Sequence, residues 1–146
     1  MSLNRIFDIA GSAMSAQSMR LNTTASNIAN ADTASSSTDE VYRARKPVFA
    51  AIQQSVMENG FNAAFTDTPE SQGVEVKGIV ESDAPLDMRY QPDHPMANDD
   101  GYVMYPNVNV VEEMTDMLSA SRSFQTNVDV MDAAKTMMQR ILTLGQ

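Results

Sequence analysis

The chain has 146 residues, which is enough for one domain or one elongated subunit with a modest hydrophobic core. It contains no cysteine, and this excludes disulfides, thiolate metal sites and cysteine nucleophiles. The formal net charge is −9 and the sequence has no basic stripe, so nucleic acid is not expected as a partner. No stretch reaches the roughly eighteen consecutive apolar residues of a membrane span, and no ordinary secretory signal is expected.

Residues 1–34 are predicted to form the first of two long helices. Apolar or small residues recur at spacings of three and four, which is the period of a helix with one apolar face. The bulky members of this N-terminal seam are Leu3, Phe7, Met14, Leu21 and Ile28. Serine, threonine and asparagine make up much of the remainder, and their side chains compete for backbone hydrogen bonds. The helix must therefore be stabilised by packing rather than by intrinsic propensity.

Residues 35–105 are predicted to be an acidic, β-rich insertion between the helices. Thirteen acidic and only five basic residues fall within residues 31–108. Alternation of apolar and polar residues predicts a strand over residues 73–81. Shorter pieces of strand length are expected at residues 86–90 and 102–105, between turns rich in proline and aspartate.

Two stretches of the insertion have a different pattern. Residues 42–49 fit a strand, but Pro47 restricts a strand to a sheet edge or a bulge. Pro47 could instead stand in the first turn of a short helix over residues 47–57, and both assignments stay open at this point. A mobile loop is predicted near residues 58–73, where glycine, asparagine, threonine, aspartate and proline are mixed.

Residues 106–146 are predicted to form the second long helix, with Asn109 as its N-cap. Glu112 stands in the capping-box position, and Gly145 is expected to end the helix. The apolar residues of this C-terminal seam follow a three-four repeat like that of a coiled coil. They are Val110, Met114, Met117, Phe124, Val128, Met131, Met138 and Leu142.

A second apolar seam lies beside the first in the later half of this helix. Its members are Val130, Ala133, Met137, Ile141 and Leu144. A single partner helix covers only one stripe, so two seams imply more than one packing neighbour. A lone long helix in an ordinary bundle, or a helical hairpin that closes a monomer, is the alternative.

The predicted fold class is therefore mainly α with a small β-rich insertion. The long N-terminal and C-terminal helices are expected to pair as a coiled coil, in an elongated subunit of a helical assembly. The charge-poor ends would be the assembly core, and the acidic middle would be the solvated part.

The sequence shows no residues in the pattern of a catalytic, cofactor or metal site. His94 has no second imidazole or nucleophile at a recognisable spacing, so we predict a turn histidine whose ring bonds a backbone group. Asp99, Asp100 and Gly101 lack the alternating oxygen ligands of a calcium loop and are predicted to be a turn. No enzymatic activity, cofactor or metal is expected.

Several short motifs resemble those of the rod and hook family of bacterial flagellar axial proteins, especially its short proximal-rod members. The N-terminal motif comprises IAGSAMSAQ at residues 9–17, RLN at 20–22 and ASNIANA at 25–31. The middle of the chain matches at residues 78–81, Tyr90, Pro92, residues 94–95 and residues 101–103. The C-terminal part matches at residues 105–108, Met117, residues 119–122 and residues 142–146.

This resemblance implies a structural subunit that polymerises through its terminal helices into the proximal rod, the torque-transmitting drive shaft of the flagellum. It implies synthesis in the cytoplasm, passage through the flagellar type III export apparatus without a cleaved signal peptide, and a place in the basal-body rod within the periplasm. The implied partners are other copies of the chain, the neighbouring rod proteins FlgB, FlgF and FlgG, and FliE, without direct membrane insertion. The alternative function is a soluble helical-hairpin adaptor or an export-associated binding module.

Overall fold

The structure, a computed structural model, describes residues 3–37, 39–53 and 71–144. One long helix precedes and another follows two antiparallel strand pairs in the chain. This order confirms the predicted fold class of a mainly helical chain with a small β insertion. Within the described residues, no helix combines the length and apolar character needed to cross a membrane. The elements in chain order are α1 (Leu3–Asn30), β1 (Arg45–Gln53), β2 (Ser71–Glu81), β3 (Asp87–Tyr90), β4 (Tyr102–Tyr105) and α2 (Val110–Leu144).

The two helices run antiparallel and pack against each other. Arg20, late in α1, forms an ion pair with Asp116, early in α2, with 2.6 Å between Nη2 and Oδ1. Counting seventeen residues back from Arg20 reaches Leu3, and counting the same number forward from Asp116 reaches Ala133. Ala134 is still buried, so about ten residues of α2, which we call the distal end (residues 135–144), extend past the start of α1. Their length is about 15 Å at 1.5 Å per residue.

Asn109 caps the start of α2, as predicted. The backbone N–H of Val111 donates to Asn109 Oδ1 at 3.1 Å, and the N–H of Glu112 lies 3.5 Å from the same oxygen. These contacts satisfy donors that have no partner within the first helical turn. Gly145, the predicted end of the helix, lies outside the described residues.

Strands β1 and β2 pair antiparallel from Arg45 opposite Glu81 to Gln53 opposite Ser71. Residues 45–53 are therefore a strand, which decides between the two assignments for the segment around Pro47 as far as Gln53. Among the described residues the sheet has two strands, so one edge of β1 can accommodate a proline, which cannot donate to a ladder. The register also shifts directly after Val48, next to the proline.

The predicted mobile loop near residues 58–73 is wrong at its C-terminal end, because residues 71–73 belong to β2. Glycine and serine favoured a loop in this segment. Gly73 instead lies within β2, where the lack of a side chain allows the strand to approach Ser12 of α1. Residues 58–70 of the predicted loop lie outside the described residues.

Strands β3 and β4 form a separate antiparallel pair, which confirms the two short strands predicted there. Gly101, in the connection between them, has a φ of +81°, a conformation that suits glycine. The other side of β4 bonds to Ser35, since the backbone N–H groups of Ser35 and Met104 each donate to the other residue's carbonyl at 3.0 Å. The insertion is thereby tied to the segment that follows α1.

Gly73 allows β2 to pass directly over α1. Its φ is +145°, which few side-chain-bearing residues adopt, and a Cβ at this position would overlap Ser12 Oγ. The Ser12 hydroxyl accepts a hydrogen bond from the Val74 N–H at 3.1 Å and donates one to the Ile9 carbonyl at 2.9 Å. A side chain at residue 73 would therefore separate the strand from the helix.

We expect Gly73→Ala to lower the free energy of unfolding by about 1–3 kcal/mol, because the change adds both backbone strain and a steric overlap. Urea denaturation followed by circular dichroism measures the difference. Gly78→Ala in the same strand is the matched control, since a Cβ at Gly78 would meet no atom within 4 Å. Equal stabilities of the two variants would contradict the close approach of β2 to α1.

Candidate assembly interface

Asn27 joins the end of α1 to the beginning of the insertion. Its side chain is only 1% exposed. The amide oxygen accepts hydrogen bonds from the Tyr42 hydroxyl at 2.8 Å and from the Arg45 N–H at 3.0 Å. The amide nitrogen donates to the Arg45 carbonyl at 2.8 Å. One buried side chain thus satisfies both backbone groups of Arg45 at the point where β1 begins.

Asn107 makes the equivalent connection from the other side, just before α2. Its amide oxygen accepts a hydrogen bond from the Ala44 N–H at 2.8 Å, and its amide nitrogen donates to the Ala84 carbonyl at 2.9 Å. The Ala44 carbonyl in turn accepts from the Ser82 N–H at 2.8 Å. Residues 42–45 are therefore held between the end of one helix and the approach to the other, and we call this set of contacts the asparagine clamp.

The buried side chains of α2 recur every seven residues. Glu113, Ala120 and Ala134 are buried, and Asn127, between Ala120 and Ala134 at the same spacing, is half-buried. A second set at the same spacing is half-buried. It consists of Met117, Phe124, Met131 and Met138. Alternating spacings of four and three give a continuous stripe along the helix, and small side chains at its centre allow a close approach to α1.

The C-terminal seam predicted from sequence coincides only partly with this stripe. Its members Met117, Phe124, Met131 and Met138 belong to the stripe, and Val128 is half-buried beside it. The remaining three are exposed, with Met114 at 54% and Leu142 at 66%, and are not part of the packing within the chain. They are Val110, Met114 and Leu142. The predicted seam consists of bulky apolar residues, whereas the small residues Ala120 and Ala134 mark the side of α2 that faces α1.

The N-terminal seam lies at the border of the buried face of α1. Phe7, Met14, Leu21 and Ile28 are half-buried, and the side chain of Leu3 is outside the described part of the chain. The fully buried positions of the helix carry small or polar residues. They are Ala10, Ala16, Thr23, Thr24 and Asn27. Both helices therefore use small residues inside and leave larger apolar ones at least partly accessible.

Exposed apolar side chains are concentrated at the two ends of α2. Near its start, Val111 is 72% and Leu118 is 61% exposed, on either side of the exposed Met114. At the distal end Met137 and Ile141, both from the second predicted seam, are exposed beside Leu142. Val130 and Ala133 of that seam are also exposed, and the side chain of Leu144 is not among those described. Such contiguous apolar surface is typical of an interaction site.

His94 has the turn role that the sequence predicted. Its ring Nδ1 accepts a hydrogen bond from the Met96 N–H at 3.1 Å. Asn98 organises the neighbouring turn, because its Oδ1 accepts from the N–H groups of Asp100 and Tyr102 at 3.1 and 2.8 Å. Across residues 3–37, 39–53 and 71–144, no three histidine, cysteine or acidic side chains are grouped as metal ligands would be.

Sequence reasoning missed the asparagine clamp. The partners of Asn27 and Asn107 are mostly backbone groups, and backbone groups leave no trace in residue identity. The one available signal was Asn27 itself, which follows Ala16, Thr23 and Thr24 along one face of α1. A polar residue on such a face is a candidate for a specific buried hydrogen bond.

Comparisons with known proteins agree with the resemblance seen in the sequence. Residues 7–34 match the family described as "Flagella basal body rod protein", and residues 99–144 match "Flagellar basal body rod FlgEFG protein C-terminal". Over 146 residues the chain is 45% identical to the flagellar basal-body rod protein FlgC of Salmonella typhimurium, with 100% of both chains covered. It is 47% identical to FlgC of Escherichia coli O157:H7 with the same coverage. With FlgC of Borreliella burgdorferi it shares 34% identity over 151 residues, covering 100% of this chain and 99% of the relative.

We expect Asn27→Leu to lower the free energy of unfolding by about 3 kcal/mol, since it leaves the buried N–H and carbonyl of Arg45 without their partner. Leucine has a similar volume, so the loss would report hydrogen bonding rather than a cavity. Asn22→Leu is the control, because Asn22 is exposed on the same helix. Urea denaturation of both variants provides the measurement, and an unchanged midpoint for Asn27→Leu would disprove the clamp.

Proposed function

We propose, from the premise that the chain belongs to the FlgC family of flagellar basal-body rod proteins, that it polymerises through its terminal helices into the torque-transmitting rod. It is a structural subunit of the flagellar basal-body rod and not an enzyme. The proposal concerns how that subunit assembles. The observation that carries it is the exposed apolar surface at both ends of α2, in a chain whose own α1 covers only one stripe of that helix.

Burial and charge distinguish the parts of the chain that form the assembly core from the part that stays solvated. We assign residues 1–34 and 106–146 to the assembly core and residues 35–105 to a solvated middle region. In the assembled rod the two helices pair as a coiled coil, and the seven-residue spacing of the buried stripe on α2 supports this pairing. The exposed members of both apolar seams then contact neighbouring subunits.

A rod built in this way uses heterologous contacts, in which the surface offered by one subunit differs from the surface it meets. The proposed neighbours are other copies of this chain, the rod proteins FlgB, FlgF and FlgG, and FliE. The proposed route is synthesis in the cytoplasm and passage through the flagellar type III export apparatus without a cleaved signal peptide, to a rod within the periplasm. The adaptor function has no observation in its favour, because the relatives matched over their full length are rod proteins.

We expect Phe124→Asp or Met131→Asp to abolish rod assembly and motility while leaving expression intact. A carboxylate in the half-buried stripe would have to be desolvated when the helices pair. Swimming in soft agar and immunoblots of isolated basal bodies measure the effect. Thr126→Asp, at an exposed position in the middle of the same helix, is expected to swim normally. Normal motility of the Phe124 and Met131 variants would refute the assigned stripe.

Met114→Asp and Leu142→Asp test the exposed surface separately from the fold. Both side chains are exposed, so the purified variants should keep the circular dichroism spectrum and urea midpoint of the parent chain. In the rod each loses apolar burial of about 1.5–3 kcal/mol per contact and adds a carboxylate to be desolvated. Incorporation into basal bodies should therefore fall at least tenfold. Full incorporation would show that these positions stay exposed in the rod.

A further inference from the structure

Glu113, in the first turns of α2, is a buried residue whose carboxylate forms no ion pair with any described residue. Its side chain is 6% exposed. Within the described residues it forms no ion pair, and no described donor bonds to its side chain. Taking a carboxylate out of water without an ion pair or hydrogen bonds is unfavourable, so buried charges are normally paired. The half-buried Asp116 one turn later has such a partner in Arg20, whereas Glu113 has none among the described residues.

Glu113 lines a groove of about 300 Å³ where α1, β1 and α2 meet. Two of the cations in the groove are already engaged, since Arg20 pairs with Asp116 at 2.6 Å and Arg45 pairs with Glu81 at 2.9 Å. The rest of the lining combines an exposed cation with a hydroxyl and two apolar rings: Lys46, Thr24, Pro47 and Phe49. The groove thus offers an apolar wall beside a carboxylate that forms no ion pair with a described residue, and Lys46 is the one cation of the lining outside the two ion pairs.

The distal end of α2 has the complementary chemistry. Lys135 and Arg140 are its only charged residues, and both are exposed. Met137, Ile141 and Leu142 stand between and beside them with their side chains exposed. By contrast, the first seven residues of α2 carry three acidic residues and no base: Glu112, Glu113 and Asp116. The two ends of one helix are therefore opposite in charge and alike in apolar exposure.

We propose that the distal end of α2 from a second copy docks in this groove and places Lys135 or Arg140 against Glu113. The inference rests on the proposed function, because it specifies one contact of the polymer. The pairing cannot form within a chain, since 22 helical residues separate Glu113 from Lys135, a distance of about 33 Å. A contact between different ends of identical chains is heterologous and can be repeated without closing.

A charge exchange tests the contact. Glu113→Lys alone and the pair Lys135→Glu with Arg140→Glu should each reduce incorporation into basal bodies at least tenfold and abolish swimming. All three changes in one chain should restore both to within about twofold of the parent, because the attraction is then re-formed with reversed sign. Failure of the triple variant to recover would overturn the proposal. A suppressor of Glu113→Lys that maps to another rod protein would also overturn it, by giving the groove a different occupant.

Controls separate folding from docking. Glu113→Gln keeps the shape of the side chain, so its circular dichroism spectrum should match the parent while incorporation falls several-fold; full incorporation would overturn the proposal. Asp129→Lys and Arg122→Glu reverse exposed charges in the middle of α2 and should leave swimming unchanged. Phe124→Asp in the same assay distinguishes a failure of the docking contact from a failure of the proposed polymerisation. If it assembles normally, polymerisation through α2 fails, whereas normal assembly of the Glu113 variants alone refutes only the docking contact.

Discussion

The structure depends on two asparagine side chains that hold residues 42–45 between the helices. A peptide with the composition of α1 would be mostly unfolded in water, because its serine, threonine and asparagine residues do not offset the cost of helix nucleation. Asn27 bonds both backbone groups of Arg45, and Asn107 bonds the N–H of Ala44. These contacts fix the start of the β insertion to the helices, and the contact of Ser12 with β2 extends the attachment along α1. Helix α1 is thus stabilised by its contacts with residues 42–45 and with β2.

The same arrangement explains how one chain can be folded and still suited to assembly. Within the chain the helices meet through alanine and hydrogen-bonded polar residues, and these small side chains leave the bulkier Met, Leu and Val residues at the borders or outside. An ordinary helical bundle would place the large apolar residues inside. Here many of them remain at least partly exposed, which fits a subunit of the flagellar basal-body rod.

Sequence patterns predicted the parts of this fold that local chemistry determines. The N-cap at Asn109, the strand after Gly73 and the turn role of His94 each follow from a residue acting on its immediate surroundings. The side of α2 that meets α1 is marked by Ala120 and Ala134, which the apolar seam did not include, because hydrophobicity ranks methionine and leucine above alanine; Val110, Met114 and Leu142 of that seam are exposed, and their role in assembly stays a prediction. The clamp, and the absence of an ion pair for Glu113 among the described residues, could not be predicted, since both depend on which distant backbone or charge lies opposite, and no local period records that.

The scarcity of large apolar side chains between α1 and α2 also shapes the thermodynamics of the chain. The heat-capacity change of unfolding rises with the apolar surface exposed and is reduced by exposed polar groups. A contact whose fully buried members are alanine, threonine and asparagine, with the bulkier apolar residues only half-buried beside them, therefore contributes less to it than a bulky apolar core would. The stability of a single subunit should accordingly vary more gently between cold and warm conditions. In the proposed assembly, covering the exposed Val111, Leu118 and Ile141 would add the missing apolar burial. Chilling would then weaken the joints between subunits more than the subunits themselves, because the hydrophobic contribution fades on cooling.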